Sequence, residues 1–160
     1  MKRIAIVTGA SRGIGREIAK MLAKEDIQVI ANYNNSEKKA IELQEELKKE
    51  NINIDIFKAD ISKREDARKL VEYTLERYKK IDILVNNAGI SEYKMFTEET
   101  DSDWNRVINN NLYSAFVMCQ EVIPNMIHNK NGNIINISSD RKSTRLNSSH
   151  VSESRMPSSA

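Results

Sequence analysis

The chain has 160 residues, of which 39% are hydrophobic and 30% are charged, and its formal net charge is +2. That length suits one domain with a buried core. The small net charge argues against nucleic-acid binding, and no apolar run is long enough for a membrane span or a secretion signal. Cys119 is the only cysteine, which excludes an intramolecular disulfide and favours a reducing compartment. We therefore expect a cytoplasmic protein with no nucleic-acid partner and no membrane partner.

Strand and helix patterns alternate over residues 2–139. Short apolar segments predict strands at 4–7, 27–33, 52–60, 81–89 and 133–139. Longer segments with apolar residues at helical spacing predict helices at 14–26, 36–51, 62–80 and 100–132. Ser36 and Ser62 are the predicted N-caps of the second and third helices.

This alternation predicts an α/β fold. Each helical segment is long enough to cross between parallel strands, and the right-handed crossover rule then favours a doubly wound, Rossmann-type parallel sheet in a three-layer α/β/α arrangement. Ligands of such sheets bind at the carboxyl ends of the strands. In this sequence those ends carry small or amide side chains, so we predict that they share one site.

A glycine-rich turn, TGASRGIG, joins the first strand to the first helix. Gly9 permits the tight turn, whereas Gly13 and Gly15 permit close approach of a pyrophosphate and close packing of the helix on the sheet. The helix N-terminus offers free N–H groups and a positive dipole end to phosphate. The alternative is an ordinary strand-to-helix turn, which normally needs fewer glycines.

This glycine spacing resembles the short-chain dehydrogenase/reductase family, and further motifs in the family's order support the resemblance. They are ADIS with Asp60, NNAG at 86–89, NNNLYSAF with Asn111, and INISS ending at Ser139. The resemblance implies that Asp60 contacts an adenine ring, that Asn111 holds a proton-relay water, and that Ser139 hydrogen-bonds the substrate carbonyl. Asp60 and Ser139 have a plainer alternative as strand-end residues, and the choice of Asn111 over Asn110 depends on the following Leu112.

The resemblance also assigns further site residues and implies no metal site. Catalytic roles fall to Asn111 and Ser139, and cofactor binding falls to Gly9, Ser11, Arg12, Gly13, Ile14, Gly15, Asn34, Asp60, Ile61, Asn87, Ala88 and Gly89. An acid at the end of the second strand would favour NAD, but the sequence there is ANYNNS. Because Arg12 lies in the glycine turn, we predict NADP(H) rather than NAD(H).

The family's proton donor, a Tyr followed four residues later by a Lys, is missing. No Tyr follows Tyr113, and none of the five tyrosines has a Lys four residues on. From Asp140 the sequence is polar and aperiodic, and DRKSTRLNSSH and SRMPSSA resemble the translation of a sequencing-adapter oligonucleotide. We therefore predict that residues 1–139 are the N-terminal portion of one Rossmann-type reductase domain, truncated after Ser139. Residues 140–160 are then a non-native, disordered tail; the alternative is a natural polar tail.

The resemblance implies an NADP(H)-dependent reductase that converts a small-molecule or carrier-bound carbonyl to an alcohol, as a homodimer or homotetramer. The sequence is most similar to the 3-oxoacyl-carrier-protein reductases, and it also resembles the elongation factor P 5-aminopentanone reductases. A rival function is a non-catalytic NADP(H)-binding module. We expect the chain as written to lack turnover, and to aggregate or bind cofactor weakly. Its fifth strand would be an open edge, and its last helix would leave Leu112, Ala115, Phe116 and Met118 partly bare.

Overall fold

The computed structural model describes residues 2–138, and strands and helices alternate through it as predicted. The strands are β1 (Ile4–Val7), β2 (Gln28–Tyr33), β3 (Asp55–Lys58), β4 (Ile83–Asn86) and β5 (Asn133–Asn136). The helices are α1 (Gly13–Lys24), α2 (Glu37–Lys49), α3 (Arg64–Tyr78), α4 (Asp101–Ile108) and α5 (Ser114–His128). Predictions about Ser139 and about residues 140–160 fall outside the described residues.

The five strands form one parallel sheet with the order β3-β2-β1-β4-β5. The register places Val7 of β1 between Ala31 of β2 and Val85 of β4, and it pairs Asn86 of β4 with Asn136 of β5. The chain moves outward from β1 to β3 and then crosses back to β4. The doubly wound Rossmann-type prediction is confirmed.

Alternate residues of the inner strands serve two cores, because successive side chains of a strand point to opposite faces of the sheet. Ile4 and Ile6 pack with side chains of α3 and α5, such as Leu70 and Val117. Ala5 and Val7 pack with side chains of α1 and α2 such as Leu43. A helical layer therefore covers each face, which gives the predicted three-layer arrangement.

The two predicted helix caps have different outcomes. Ser36 does occupy the N-cap position of α2, although its side chain makes no capping hydrogen bond. The prediction for Ser62 is wrong, because α3 begins at Arg64 with Lys63 at the N-cap position. The Ser62 hydroxyl instead donates to Asp60 Oδ1 at 2.6 Å, and the Ser62 N–H donates to the same oxygen at 3.2 Å. Asp60 thus closes a local turn before the helix starts.

The predicted long helix over 100–132 is interrupted. It consists of α4, a π-helical segment over Asn109–Tyr113, and α5. Thr100 caps α4 through a capping box with Asp103, in which each side chain binds the backbone N–H of the other residue. The π-helical segment changes the direction of side chains between α4 and α5.

The apolar face expected along this helical stretch is only partly bare. Leu112 and Phe116 are exposed as predicted, at 64% and 53%, but Met118 is fully buried in the core, so that part of the prediction is wrong. Trp104 is also exposed, at 61%. Within residues 2–138 no helix has both the length and the apolar character needed to cross a membrane.

Candidate functional site

A cleft of about 410 Å³ lies at the carboxyl ends of the strands. Its lining comes from the turns that follow β1, β2, β3 and β4, together with Asn110 from the π-helical segment. The predicted site residues in this lining are Gly9, Ser11, Arg12, Gly13, Asn34, Asp60, Ile61, Asn87, Ala88 and Gly89. Residues from four separate turns therefore converge on one cavity, in the size range of a small-molecule or cofactor site.

The three glycines of the first turn serve different purposes. Gly9 and Gly13 both have left-handed backbone angles, with φ of +64° and +57°. A Cβ on Gly9 would lie 2.9 Å from the Cα of Ala88, whereas a Cβ on Gly13 would meet nothing within 4 Å and would project into open space. A Cβ on Gly15 would collide with the Asn87 amide and would lie 2.6 Å from the Gly9 carbonyl oxygen. Gly13 thus leaves room at the cleft, while Gly9 and Gly15 allow close packing.

The N-terminus of α1 is left open toward a ligand. No side chain caps α1, and its first turn contains no acidic residue. By contrast, α2, α3 and α4 each have an acidic residue in the first turn. Neither a capping side chain nor an acidic residue of the first turn therefore occupies the free N–H groups and the positive dipole end of α1, an arrangement that suits phosphate.

Thr8 connects the β1 turn to the β4 turn, and the sequence analysis gave it no role. Its buried hydroxyl oxygen accepts from the N–H groups of Asn87 and Ala88, at 2.9 and 3.0 Å, and donates to the Val85 carbonyl at 3.2 Å. The Asn87 amide donates in return to the Thr8 carbonyl at 3.0 Å. Asn87 therefore holds two turns of the cleft together. A hydroxyl placed directly before a glycine turn was the available sequence signal.

Asn32 is a second functional residue that the sequence analysis missed. It is buried in β2, where its Oδ1 accepts from the Gly9 N–H at 3.4 Å and its Nδ2 donates to the Ala59 carbonyl at 3.0 Å. It thereby joins the turns after β1 and β3 beneath the cleft. The available signal was an amide near the end of the mostly apolar stretch IQVIANY.

The charges at the cleft favour an anionic ligand. Arg12 is exposed and has no ion pair among residues 2–138. Asp60, the other charged residue of the described lining, is bound to Ser62 and lies 3.5 Å from the Lys63 ammonium. The carboxylate nearest the end of β2, Glu37, accepts from the Tyr33 hydroxyl at 3.2 Å. Burial first, and then this hydrogen bond, raises the pKa of Tyr33, so its phenol stays neutral.

Asn111 holds the wall of the cleft. Its Oδ1 accepts from the Ile90 N–H and its Nδ2 donates to the Ile90 carbonyl, both at 2.8 Å. Ile90 lines the cleft, and a Cβ on the neighbouring Gly89 would lie 3.2 Å from Asn111 Oδ1. Asn111 therefore lies beside the lining, whereas Asn110 lies within it.

Two other predicted residues lie outside the lining. Ile14 is in the first turn of α1 and is 64% exposed, and Gly15 is buried against the Asn87 turn. Ser139 is not among the described residues. Close to the end of β5, Asn86 donates to Asn136 Oδ1 at 2.9 Å and to Cys119 Sγ at 3.4 Å. The Oδ1 of Asn86 is buried, with no partner among the described residues.

The curated relatives are reductases. 3-oxoacyl-[acyl-carrier-protein] reductase FabG of Staphylococcus epidermidis is 37% identical over 139 residues, covering 87% of this chain and 57% of the relative. The protein of the same name from Buchnera aphidicola is 38% identical over 138 residues, covering 86% of this chain and 55% of the relative. The chain thus spans little more than half the length of the curated relatives it matches.

Solved structures and a family model agree with these relatives. A mutant short-chain dehydrogenase/reductase of Serratia marcescens superposes with a TM-score of 0.81 at 33% identity, covering 86% of this chain and 56% of that one. A metagenomic short-chain oxidoreductase in complex with NADP gives 0.82 at 30% identity, covering 86% and 62%. The family model described as short chain dehydrogenase matches residues 3–150. On this sequence match, and with the cleft and sheet order described above, the chain belongs to the short-chain dehydrogenase/reductase family.

Proposed function

We propose that the chain carries the cofactor-binding part of an NADP(H)-dependent reductase that converts a carbonyl to an alcohol. The open N-terminus of α1 is the observation that carries this proposal, since it has no side-chain cap, no acid in its first turn and, beside it, an Arg12 without an ion pair to any described residue. The names of the curated relatives support a 3-oxoacyl group on a carrier protein as the substrate. The lone thiol of Cys119 supports a cytoplasmic location.

The described residues fit a dinucleotide. The space beside Gly13 and the N–H groups of α1 suit a pyrophosphate, and Arg12 together with Asn34 suits a phosphate on the adenosine ribose. The solved relative that superposes at 0.82 is a complex with NADP, which supports the choice of cofactor.

The positions of these residues suggest what the cofactor and each side chain would do in the reaction. The nicotinamide, when bound, supplies hydride chemistry. Asn111 holds both backbone polar groups of Ile90 and so fixes the wall of the cleft beside Asn110. By resemblance, Asn111 organises the proton relay and Ser139 polarises the substrate carbonyl. The sequence given contains no candidate for the proton donor, because no tyrosine in it is followed four residues later by lysine.

Titration with NADPH and NADH tests the cofactor assignment. We expect NADPH to bind more tightly than NADH. In Arg12→Gln the affinity for NADPH should fall about tenfold, because a charge-assisted contact to phosphate disappears. Arg16→Gln is the matched control, since Arg16 lies one turn further along α1 and binds Glu46 instead. Equal affinity of Arg12→Gln and the unchanged protein for NADPH would contradict the assignment.

A turnover assay addresses the reaction. We expect the chain as written to consume no NADPH with a 3-oxoacyl thioester. A second candidate is a non-catalytic NADP(H)-binding module, since none of the five tyrosines present is followed four residues later by a lysine. Re-reading the source DNA across the Ser139 codon separates the two. A reading frame that continues into a Tyr-x-x-x-Lys segment supports the reductase, whereas a frame that encodes DRKSTRLNSSH supports the module.

We also propose that the protein forms a homodimer or homotetramer. Apolar side chains of the α4–α5 stretch support this, since Trp104, Leu112 and Ile127 are 61%, 64% and 71% exposed. A second copy would remove this surface from water. Sedimentation of the unchanged protein and of Leu112→Glu tests the proposal, with dissociation expected in the variant and a monomeric unchanged protein contradicting it.

A further inference from the structure

The junction between α4 and α5 has an unusual hydrogen-bond pattern. The N–H of Ser114 donates to the carbonyl of Asn109, five residues earlier. In a regular α-helix that N–H would donate to the carbonyl four residues earlier, which belongs to Asn110. The π-helical segment therefore deprives the Asn110 carbonyl of its usual backbone donor.

The side chain of Ser114 replaces that donor. Its hydroxyl donates to the Asn110 carbonyl at 2.7 Å, and Ser114 is only 1% exposed. Water therefore has little access to the hydroxyl, and loss of its hydrogen bond would leave polar groups unpaired. The Asn110 side chain also binds the backbone one turn earlier, since its Nδ2 donates to the Arg106 carbonyl at 2.8 Å.

The segment held in this way contains the residue that clamps the cleft wall. Asn111 lies between Asn110 and Ser114, and both polar atoms of its amide bind the backbone of Ile90 at 2.8 Å. A return to the α-helical pattern would turn residue 111 around the helix axis by a large fraction of the 100° between successive residues. The amide of Asn111 would then no longer reach Ile90.

We infer that Ser114 is a positioning residue: its hydroxyl stabilises the π-helical segment, and that segment aims Asn111 at Ile90. One part of the inference rests on the proposed function: that the cleft wall shapes the site of the cofactor and the carbonyl substrate. The hydrogen bonds themselves are independent of any ligand.

The chain offers a matched control on α3. Thr74 is fully buried and its hydroxyl donates to the Leu70 carbonyl, four residues earlier, at 2.8 Å. Within the regular helix α3 that carbonyl also has its backbone donor, so the hydroxyl adds a second bond and replaces nothing. Thr74→Val should therefore leave the local helical pattern intact, whereas Ser114→Ala should not.

Amide hydrogen exchange of Ile90 measures the clamp directly, because Asn111 Oδ1 is the acceptor of that N–H. In Ser114→Ala we expect the protection of Ile90 to fall about five- to tenfold, the effect of losing one hydrogen bond. In Thr74→Val we expect it to stay unchanged. Ser114→Thr keeps a hydroxyl that can bind the same carbonyl, so it should retain Ile90 protection even where the added methyl lowers global stability.

Three results would overturn the inference: unprotected Ile90 in the unchanged protein, unchanged protection in Ser114→Ala, or equal losses in Ser114→Ala and Thr74→Val. If Ser114→Ala does not fold, Ser114→Cys replaces it, because the thiol is of similar size and is a weak donor. A partial loss at Ile90 supports the inference and full protection overturns it. A separate titration with NADPH reports on the proposed function, so its failure would leave the exchange result standing.

Discussion

On one face of the sheet, side chains of the inner strands are buried, whereas the corresponding side chain of the edge strand β5 is partly exposed. Val7 of β1, Val85 of β4 and Ile135 of β5 are neighbours across the sheet in register. Val7 and Val85 are fully buried, whereas Ile135 is 46% exposed. The helices α1 and α2 supply the core that covers the inner strands, and no helix among residues 2–138 gives Ile135 comparable cover.

The polar groups at the ends of these strands differ in the same way. After β1 and β4, Thr8 and Asn87 satisfy one another's backbone groups across the two turns. At the β5 end, the Oδ1 of Asn86 is buried without a partner among the described residues. The turns after β1 and β4 are thus joined by hydrogen bonds between described residues, whereas the end of the cleft next to β5 keeps a buried oxygen without such a partner. Variants on the two sides should therefore respond differently.

The largest effect is expected where the inner turns pack most closely. In Gly15→Ala the added Cβ would collide with Asn87 and with the Gly9 carbonyl, which is backbone and cannot swing aside. We expect a loss of about 3 kcal/mol in the free energy of unfolding, measured by urea denaturation. Gly13→Ala is the control, because it meets no atom and should lose only about 1–2 kcal/mol through its left-handed backbone angle. Equal losses in the two variants would contradict this account of Gly15.

The next effect concerns the brace between the two turns. Thr8→Val preserves shape but removes the acceptor of the Asn87 and Ala88 N–H groups. We expect unfolding to become easier by about 1–3 kcal/mol, because these N–H groups lose their partner. Thr74→Val removes a buried hydroxyl of the same size from α3 and should cost less, since its acceptor keeps a backbone donor. If Thr8→Val is as stable as Thr74→Val, Thr8 does not brace the turns.

These inner features also show what the sequence could predict. Hydrophobic period and the spacing of Gly9, Gly13 and Gly15 are local signals, so the sequence predicts all five strands and the tight turn between β1 and α1. The roles of Thr8 and Asn32 depend on partners that lie 79 and 27 residues away, at Asn87 and Ala59, and no local pattern reveals such pairs.

The two wrong predictions about helices, for Ser62 and Met118, also concern features that a local pattern does not reveal. Ser62 was expected to cap α3, but Asp60 two residues earlier takes its hydroxyl. Met118 was expected on a partly bare helix face, but it follows the π-helical segment and is fully buried in the core. A period of 3.6 residues cannot anticipate a segment with a different hydrogen-bond pattern.

The strand β3 at the opposite edge of the sheet differs from β5, because side chains of α3 bind it through a polar cluster. Asp55 Oδ2 accepts from the hydroxyls of Tyr78 and Tyr73 at 2.8 and 3.0 Å, and it forms an ion pair with Arg77 Nε at 3.2 Å. Burial first, and then the hydrogen bond to Asp55, raises the pKa of Tyr78 to about 12. A raised pKa favours the neutral phenol in the folded state. This contribution to stability is complete below about pH 10, the ordinary tyrosine value, and is lost as pH rises through about 12.

Alkaline titration followed by phenolate absorbance tests this assignment. We expect the step near pH 12 to disappear in Tyr78→Phe, with a loss of about 1 kcal/mol in unfolding free energy at neutral pH. Tyr113→Phe is the control, because Tyr113 lies in the π-helical segment, far along the chain from Asp55. If the late step persists in Tyr78→Phe, another phenol carries it.

A substitution in β5 should change the free energy of unfolding least. It should nevertheless change the association of the protein clearly. Ile135→Lys puts a charge on the exposed side of an edge strand, which discourages strand-to-strand association. We expect the free energy of unfolding to change by less than about 1 kcal/mol, because the side chain is already partly in water, and we expect light scattering at high concentration to fall. Ile41→Lys is the matched control, since Ile41 is 40% exposed on the helix α2, where no unpaired strand edge is available. If both variants reduce scattering equally, net charge explains the effect. If only Ile135→Lys does so, the open β5 edge is the surface through which the chain associates.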